Sequence, residues 1–282
     1  MCWEMLTFAG GKQITETMYT ATMTPAEIDR ETQEDMRNVL NKVHYKQEDF
    51  RRMVLKATRF PVTMTYEQNT KRKNRWVVGI EAFSKRNTGP RSAVKFHCIH
   101  ESVKGKFLYV PTPDLQRGKG MFKTTVIKPH FMSRFRERMG LEETGEPLIQ
   151  LVIDAVMTMN NLYLPQPDGR TLVISTLKGG FGFGEAYMHG TVTLLRTFVP
   201  QKMMFRDQRR MFAETDAERE QMQNDNLEHL RTMTRQSAKE PVNGSFAEKP
   251  TYSTIPSTPR EFKQWMERAR EIAPEIDRPQ ED

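Results

Sequence analysis

The chain is short of cysteine, with two thiols, Cys2 and Cys98, in 282 residues. With no CxxC spacing, they build neither a disulfide framework nor a cysteine-based zinc site, and they suit a reducing, cytoplasmic compartment. No apolar run approaches the roughly 20 residues of a membrane-spanning helix, so no membrane partner is expected. The opening MCWEMLTFAGGKQ has neither a basic segment nor a long apolar one, and no secretory signal is expected. HExxH, Cys/His quartets and calcium loops are missing. Asp154, Asp168, Glu185 and Asp207 show no spacing that would hold two metals. The expectation is therefore no metal and no cofactor. Without GxSxG there is no starting point for a serine nucleophile. No internal repeat is found.

What the chain has is positive charge. Lys and Arg number 43 against 36 Asp and Glu, a net +7, and the pI is about 9.3. That balance favours nucleic acid or another polyanion as partner. Hydrophobic residues are 37% and charged residues 28%, which describes a globular but polar chain with segments outside its core.

The order of periodicities gives an α+β class: a mainly antiparallel sheet with packed helices, an N-terminal α-hairpin and a helical C-terminal extension. Residues 1–60 form the helical N-terminal region. Thr24, Pro25 and Glu27 make a capping box with Pro in the first turn. Ile28, Met36, Val39, Leu40 and Val43 make one helical stripe; Phe50, Met53, Val54 and Ala57 make a second. The α+β core spans 61–200. Its first half alternates in four short strands with tight polar turns, an antiparallel meander. These turns are basic: Lys71, Arg72, Lys73 and Arg75, then Lys85, Arg86 and Arg91, then Lys104 and Lys106. Alternate turns of a meander share one end, so the first and third groups form a cationic rim and are the candidate nucleic-acid contacts. His97 and His100, three apart on a strand, point to opposite faces and make no metal pair. Further on come a short strand at 124–127, a helix at 129–140 and a core helix at about 146–160. A strand at 171–176 follows, then a glycine-rich turn LKGGFGFG, and strands at 186–188 and 191–199. A long polar helix at 201–238, a Pro- and Ser/Thr-rich linker at 239–258 and a helix with polar tail at 259–282 complete the chain. Phe262, Trp265 and Met266 form an aromatic stripe over 259–272, which is expected to dock on a partner or a second copy.

One stretch places chemistry-bearing residues at a spacing with geometric meaning. In KPHFMSRFRERMG, residues 128–140, His130, Arg134 and Arg138 are four apart and share a helix face. Phe131, Phe135 and Met139 form the apolar stripe beside them. A His with two Arg at a helix start suits a phosphate. RNA supplies its own nucleophile, the 2′-hydroxyl; His130 would move the proton, and Arg134 and Arg138 would face the oxygens that gain charge. The same residues equally describe a solvated basic face. Ser175, Thr176 and Lys178 beside Gly179, Gly180, Gly182 and Gly184 are a second candidate anion cradle, although the spacing matches no phosphate-loop fingerprint.

Helices followed by a sheet, with HFMSRFRERMG at 130–140, LVISTLKGG at 172–180 and TLLRTFVP at 193–200, resemble the barnase and RelE-like ribonuclease toxin superfamily over residues 124–200. The resemblance implies metal-independent RNA cleavage by His130, Arg134, Arg138, Thr176, Lys178 and Thr197. Three functions stand open: a metal-independent endoribonuclease, a non-catalytic nucleic-acid-binding or assembly protein of a virus or mobile element, and an enzyme on some other phosphorylated substrate.

Overall fold

The computed structural model describes residues 19–236, without 87, 89–91, 115 and 119. They form four helices on one nine-stranded sheet. The linker and the docking helix with Phe262, Trp265 and Met266 lie outside the described residues.

Helix α1 (Pro25–Lys56) opens on the capping box. Glu27 N–H donates to Thr24 Oγ1, and Thr24 N–H returns a bond to Glu27 Oε2 at 2.8 Å. The expected α-hairpin is instead one helix of 32 residues. Buried Val43 and Phe50 are seven apart, two helical turns, so the two stripes are in phase. No Gly or Pro interrupts them.

Strands β1 (Val62–Asn69), β2 (Arg75–Ala82), β3 (Ala93–Ser102), β4 (Gly105–Pro113) and β5 (Phe122–Ile127) form an antiparallel meander. Helices α2 (Pro129–Met139) and α3 (Gly145–Met157) follow. A second meander comprises β6 (Asn160–Pro165), β7 (Thr171–Leu177), β8 (Gly180–Tyr187) and β9 (Val192–Pro200). β9 lies parallel to β5 and joins the halves in the order β1-β2-β3-β4-β5-β9-β8-β7-β6. This is the sheet's one parallel pairing, so the mainly antiparallel α+β class holds. Helix α4 (Arg206–Gln236) is the long polar helix.

The glycine-rich segment is not the expected turn. Only Lys178 and Gly179 turn; Gly180 to Gly184 belong to β8. Their alternation has period two. Phe181 and Phe183 are buried on one face, in the cluster with Phe212 of α4. On the other face, a Cβ at Gly182 would stand 3.4 Å from the Phe131 ring of α2. The glycines let α2 settle onto the sheet while the phenylalanines fill the α4 side. Strand β6, which the sequence reading passed over, begins where the core helix was expected to end.

The sheet is covered on both faces. Trp76, Val78, Phe96, Cys98 and Tyr109 pack with Met36, Val39 and Phe50 of α1. Val77, Ile99, Leu108 and Leu195 pack on the other face with Phe131 and Phe135 of α2 and Val152 and Val156 of α3. His97 joins the second face, while His100 lies beside Phe107 of the first, as their spacing requires.

Under α1 lies a buried polar seam. Asp35 Oδ2 accepts from Trp76 Nε1 at 2.7 Å and Asn74 Nδ2 at 2.6 Å. Asn74 Nδ2 also donates to Glu31 Oε1, and Asn74 Oδ1 accepts from Tyr19 N–H, each at 2.8 Å. Burial pushes the Asp35 carboxyl up, and the bonds from Trp76 and Asn74 oppose that. A salt bridge from Arg117 to Asp29 at 2.8 Å ties the start of α1 to the loop before β5.

Candidate nucleic-acid interface

The topology fixes which cations share an end of the sheet. In the first meander, the β1–β2 turn, the β3–β4 turn and the exit of β5 lie together. Since β9 runs parallel to β5, its exit and the β7–β8 turn fall at the same end. Lys71, Lys73, Lys104, His130, Lys178 and Lys202 are exposed there; Lys106 and Lys128 are partly exposed. The expected rim therefore extends across both meanders.

Helix α2 lies along this end. Pro129 has its N-cap in extended conformation and needs no N–H of its own. Gly140 closes the helix at φ 69°, ψ 35°, the left-handed stop that glycine permits. A Cβ built on Gly105, in the β3–β4 turn, would be 3.0 Å from Pro129; one built on Gly179, in the β7–β8 turn, would be 3.0 Å from Met139. The two ends of α2 thus rest on two turns at the same end, and the helix crosses the strands between them. Phe131 and Phe135 point down, where both rings meet Phe198. The cationic side faces outward in part: His130 is exposed, and Arg134, partly exposed, holds Glu137 at 3.0 Å. Arg136 is exposed as well, but on another side of the helix.

The six residues proposed for catalysis do not converge on one point. Arg138 and Thr197 meet, with Arg138 Nη1 3.5 Å from Thr197 Oγ1 and donating to the Phe198 carbonyl at 2.5 Å. β5 pairs with β9 only as far as Leu195. Beyond it, Arg138 supplies a donor to the edge of β9, a structural role. Thr197 is fully buried. His130 is two turns earlier on α2, about 12 Å along the axis. Thr176 is buried and donates to Thr215 Oγ1 of α4 at 3.1 Å, on the sheet face away from α2. Lys178 stands exposed in the β7–β8 turn, near the far end of α2 from His130.

Arg72 departs from the expected surface role, whereas Arg75 stays partly exposed at the rim. Arg72 reaches back to α1, with Nη1 2.6 Å from Glu31 Oε2 and Nη2 bonded to Glu34. Glu31 is 1% exposed. Arg75 is in strand β2, opposite Asn69 and Ile99, and its charge acts on buried His97. Lys106 pairs with Glu101 at 3.1 Å, an exposed bridge worth little in water. Lys73, Asn74, Arg75, Ile99, His100 and Glu101 line a recess of 290 Å³ in the rim.

The Arg72 contact carries a prediction. Arg72→Ala leaves Glu31 with Asn74 but without its guanidinium. Breaking a fully buried pair costs about 3–5 kcal/mol; Arg72 is partly exposed and Asn74 remains, so about 2 kcal/mol is expected. Lys71→Ala should stay within about 0.5 kcal/mol. Urea midpoints of the two variants check both values, and equal midpoints would make Arg72 an ordinary surface residue.

The sequence reading also missed a cluster on the second meander. Glu185 Oε2 accepts from Arg196 Nη2 at 2.7 Å and from the Tyr187 hydroxyl. Arg196 and Glu185 are eleven residues apart on neighbouring strands, so helical or strand spacing gives no signal. Among the described residues no group of three or more His, Cys, Asp and Glu is placed to hold a metal. No described helix is long and apolar enough to cross a membrane. Comparison with protein-family models, curated proteins and solved structures finds no match.

Proposed function

We propose that the protein binds nucleic acid, RNA first, along the basic end of its sheet. The observation that supports this is the alignment of three turns, the start of α2 and the exit of β9 at one end, each carrying Lys or His. A polyanion laid along α2 would meet the β3–β4 turn, His130 and the β7–β8 turn in succession, and the β1–β2 turn would extend that track towards the sheet edge. The partly apolar recess at Ile99 and His100 would suit an unstacked base between phosphate contacts.

Fluorescence anisotropy with labelled single-stranded RNA tests it. Log K should fall linearly with log salt, each phosphate contact adding about 0.7 to the slope. Replacing Lys104, Lys106 and Lys178 by Ala together should lower the slope by about 2 and weaken all sequences alike. An unchanged slope would make these lysines solvated surface and remove the proposal.

A second reading, the metal-independent endoribonuclease, is favoured by His130 alone: an exposed imidazole in the first turn of α2, amid the cations. Incubation with RNA in EDTA separates the readings. Cleavage that disappears in His130→Ala, with binding retained, supports the enzyme. Salt-sensitive binding without cleavage supports the assembly or accessory protein of a virus or mobile element. Residues 259–272, with Trp265 as anchor, are proposed for partner capture or self-association. Truncation after residue 240 should then reduce association and leave the core's melting temperature nearly unchanged.

A further inference from the structure

The outer strands of the sheet are β1 and β6. An edge strand offers a row of unpaired backbone N–H and C=O groups, and folded proteins blunt such edges with short length, Pro, Lys or a bulge. Strand β6 is treated in this way: it has six residues and ends at Pro165. Strand β1 is not. It runs for eight residues, pairs with β2 in unbroken register, and contains neither Pro nor Lys. Its one charge is Glu67. Val62, Met64 and Tyr66 pack towards the α1 core yet are only half-buried, because β1 has a strand neighbour on one side alone among the described residues.

Helix α1 flanks the same edge. Residues 57–61 join its end directly to β1, so helix and strand run antiparallel. The Asn38 carbonyl accepts from Gln68 Nε2 at 3.3 Å, which sets that side of the helix over β1. Lys42, Tyr45 and Asp49 follow Asn38 at i+4, i+7 and i+11 and continue the same side. All three are exposed, and Tyr45, at 77%, is the most exposed aromatic among the described residues. Thr65 is three residues before Gln68, about 10 Å along the strand, and the seven helical residues from Asn38 to Tyr45 cover about the same distance. Tyr45 therefore stands level with Thr65.

We infer that β1 pairs with β1 of a second copy, antiparallel about a two-fold axis at Thr65, and joins two sheets into one. Residues opposite each other on neighbouring strands share a sheet face, so a symmetric pairing is centred on a residue. Centred on Thr65, Met64 meets Tyr66 of the other copy, Thr63 meets Glu67 and Val62 meets Gln68. The half-buried apolar side chains gain cover, and the single charge faces a hydroxyl. The same axis sets the two α1 helices side by side and antiparallel, with Tyr45 near Tyr45. Lys42 then lies beside Asp49 of the other copy, on both sides of the axis, so opposite charges meet. The basic rims come to opposite ends of the joined sheet, and the nucleic-acid interface stays open on each copy. The contact is also separate from residues 259–272.

Sedimentation equilibrium of the full chain at micromolar concentration tests the pairing. The native chain should weigh twice its 33.0 kDa. Thr65→Lys and Thr65→Asp each set like charges directly opposite across the axis and should weaken the dimer at least about tenfold. Thr65 is exposed, so both variants should keep the native melting temperature. An equimolar mixture of the two variants sets Lys against Asp and should restore the dimer, which only a self-opposed position can do. A native chain that stays monomeric would overturn the inference, as would happen where another segment or another protein covers β1. So would a folded variant that associates as tightly as the native chain, which would place the contact on another surface. A mixture no tighter than its separate components would overturn the pairing at Thr65 as well.

Discussion

Gly184→Ala should leave little or no folded protein. A Cβ at this position would lie 1.8 Å from the Leu194 carbonyl oxygen, 2.8 Å from its carbon and 3.1 Å from Leu195 Cα. All three are backbone atoms of β9, so no side chain can swing away. Gly184 also marks the register shift between β8 and β9. Relieving the clash means parting β8 from β9, where the second meander joins the first, or moving the bulge that makes Arg196 the extra residue between Leu195 and Thr197 on β9. Ordinary overpacking costs about 1–3 kcal/mol through side-chain shifts. A backbone clash of this depth belongs to the rare class above about 4 kcal/mol. Gly79→Ala is the control. It is a strand glycine of ordinary φ whose Cβ would first meet Lys95 Cβ at 4.0 Å, so its effect should stay within about 0.5 kcal/mol. Urea denaturation measures both. Equal midpoints would mean that β8 and β9 separate at Gly184 without cost.

These glycines show where sequence reasoning reached its limit. The run GGFGFG has the composition of a turn and the period of a strand. Composition favours the turn, because glycine weakens strands. The period wins because Phe181 and Phe183 have a helix to bury against, and Phe131 needs the space opposite. Neither partner is adjacent in sequence. The first meander was legible for the contrary reason. Its alternation and its turns are local, and adjacent strands pair in order. The basic rim followed from the same rule, but its extension to Lys178 and Lys202 depended on the parallel β5–β9 pairing, which no local pattern announces. Arg72 was misread because a run of three cations looks uniform until one of them finds Glu31 on α1. The spacing of His130, Arg134 and Arg138 correctly gave a helix with a basic side. It could not say that Arg138 would be occupied by the free edge of β9, or that Thr176 would be turned away beneath α4.

Acid should reveal a second buried residue that the sequence dismissed as a metal ligand. His97 is 5% exposed, and its Nε2 has no hydrogen-bond partner among the described residues. Burial first, and the neighbouring Arg75 charge second, press its pKa down from 6.5 to about 4. The folded protein therefore holds His97 neutral between pH 4 and 6.5, where the unfolded chain takes up a proton. The unfolded state binds more protons in that window, so stability rises with pH across it. The contribution is complete above pH 6.5 and is lost as pH falls through 6.5 towards 4. A displacement of this size is worth about 3 kcal/mol. His100, pushed down by its own partial burial, acts in the same direction, while Asp35, pushed up by burial, acts in the opposite one. The difference between the native chain and His97→Leu isolates the residue. Leucine keeps the contacts with Val77 and its neighbours and has no proton to gain. Its stability relative to the native chain should therefore grow by about 3 kcal/mol between pH 7 and pH 4, read from urea midpoints at each pH. A constant difference across that range would mean that water reaches His97 and that it titrates as an ordinary surface histidine.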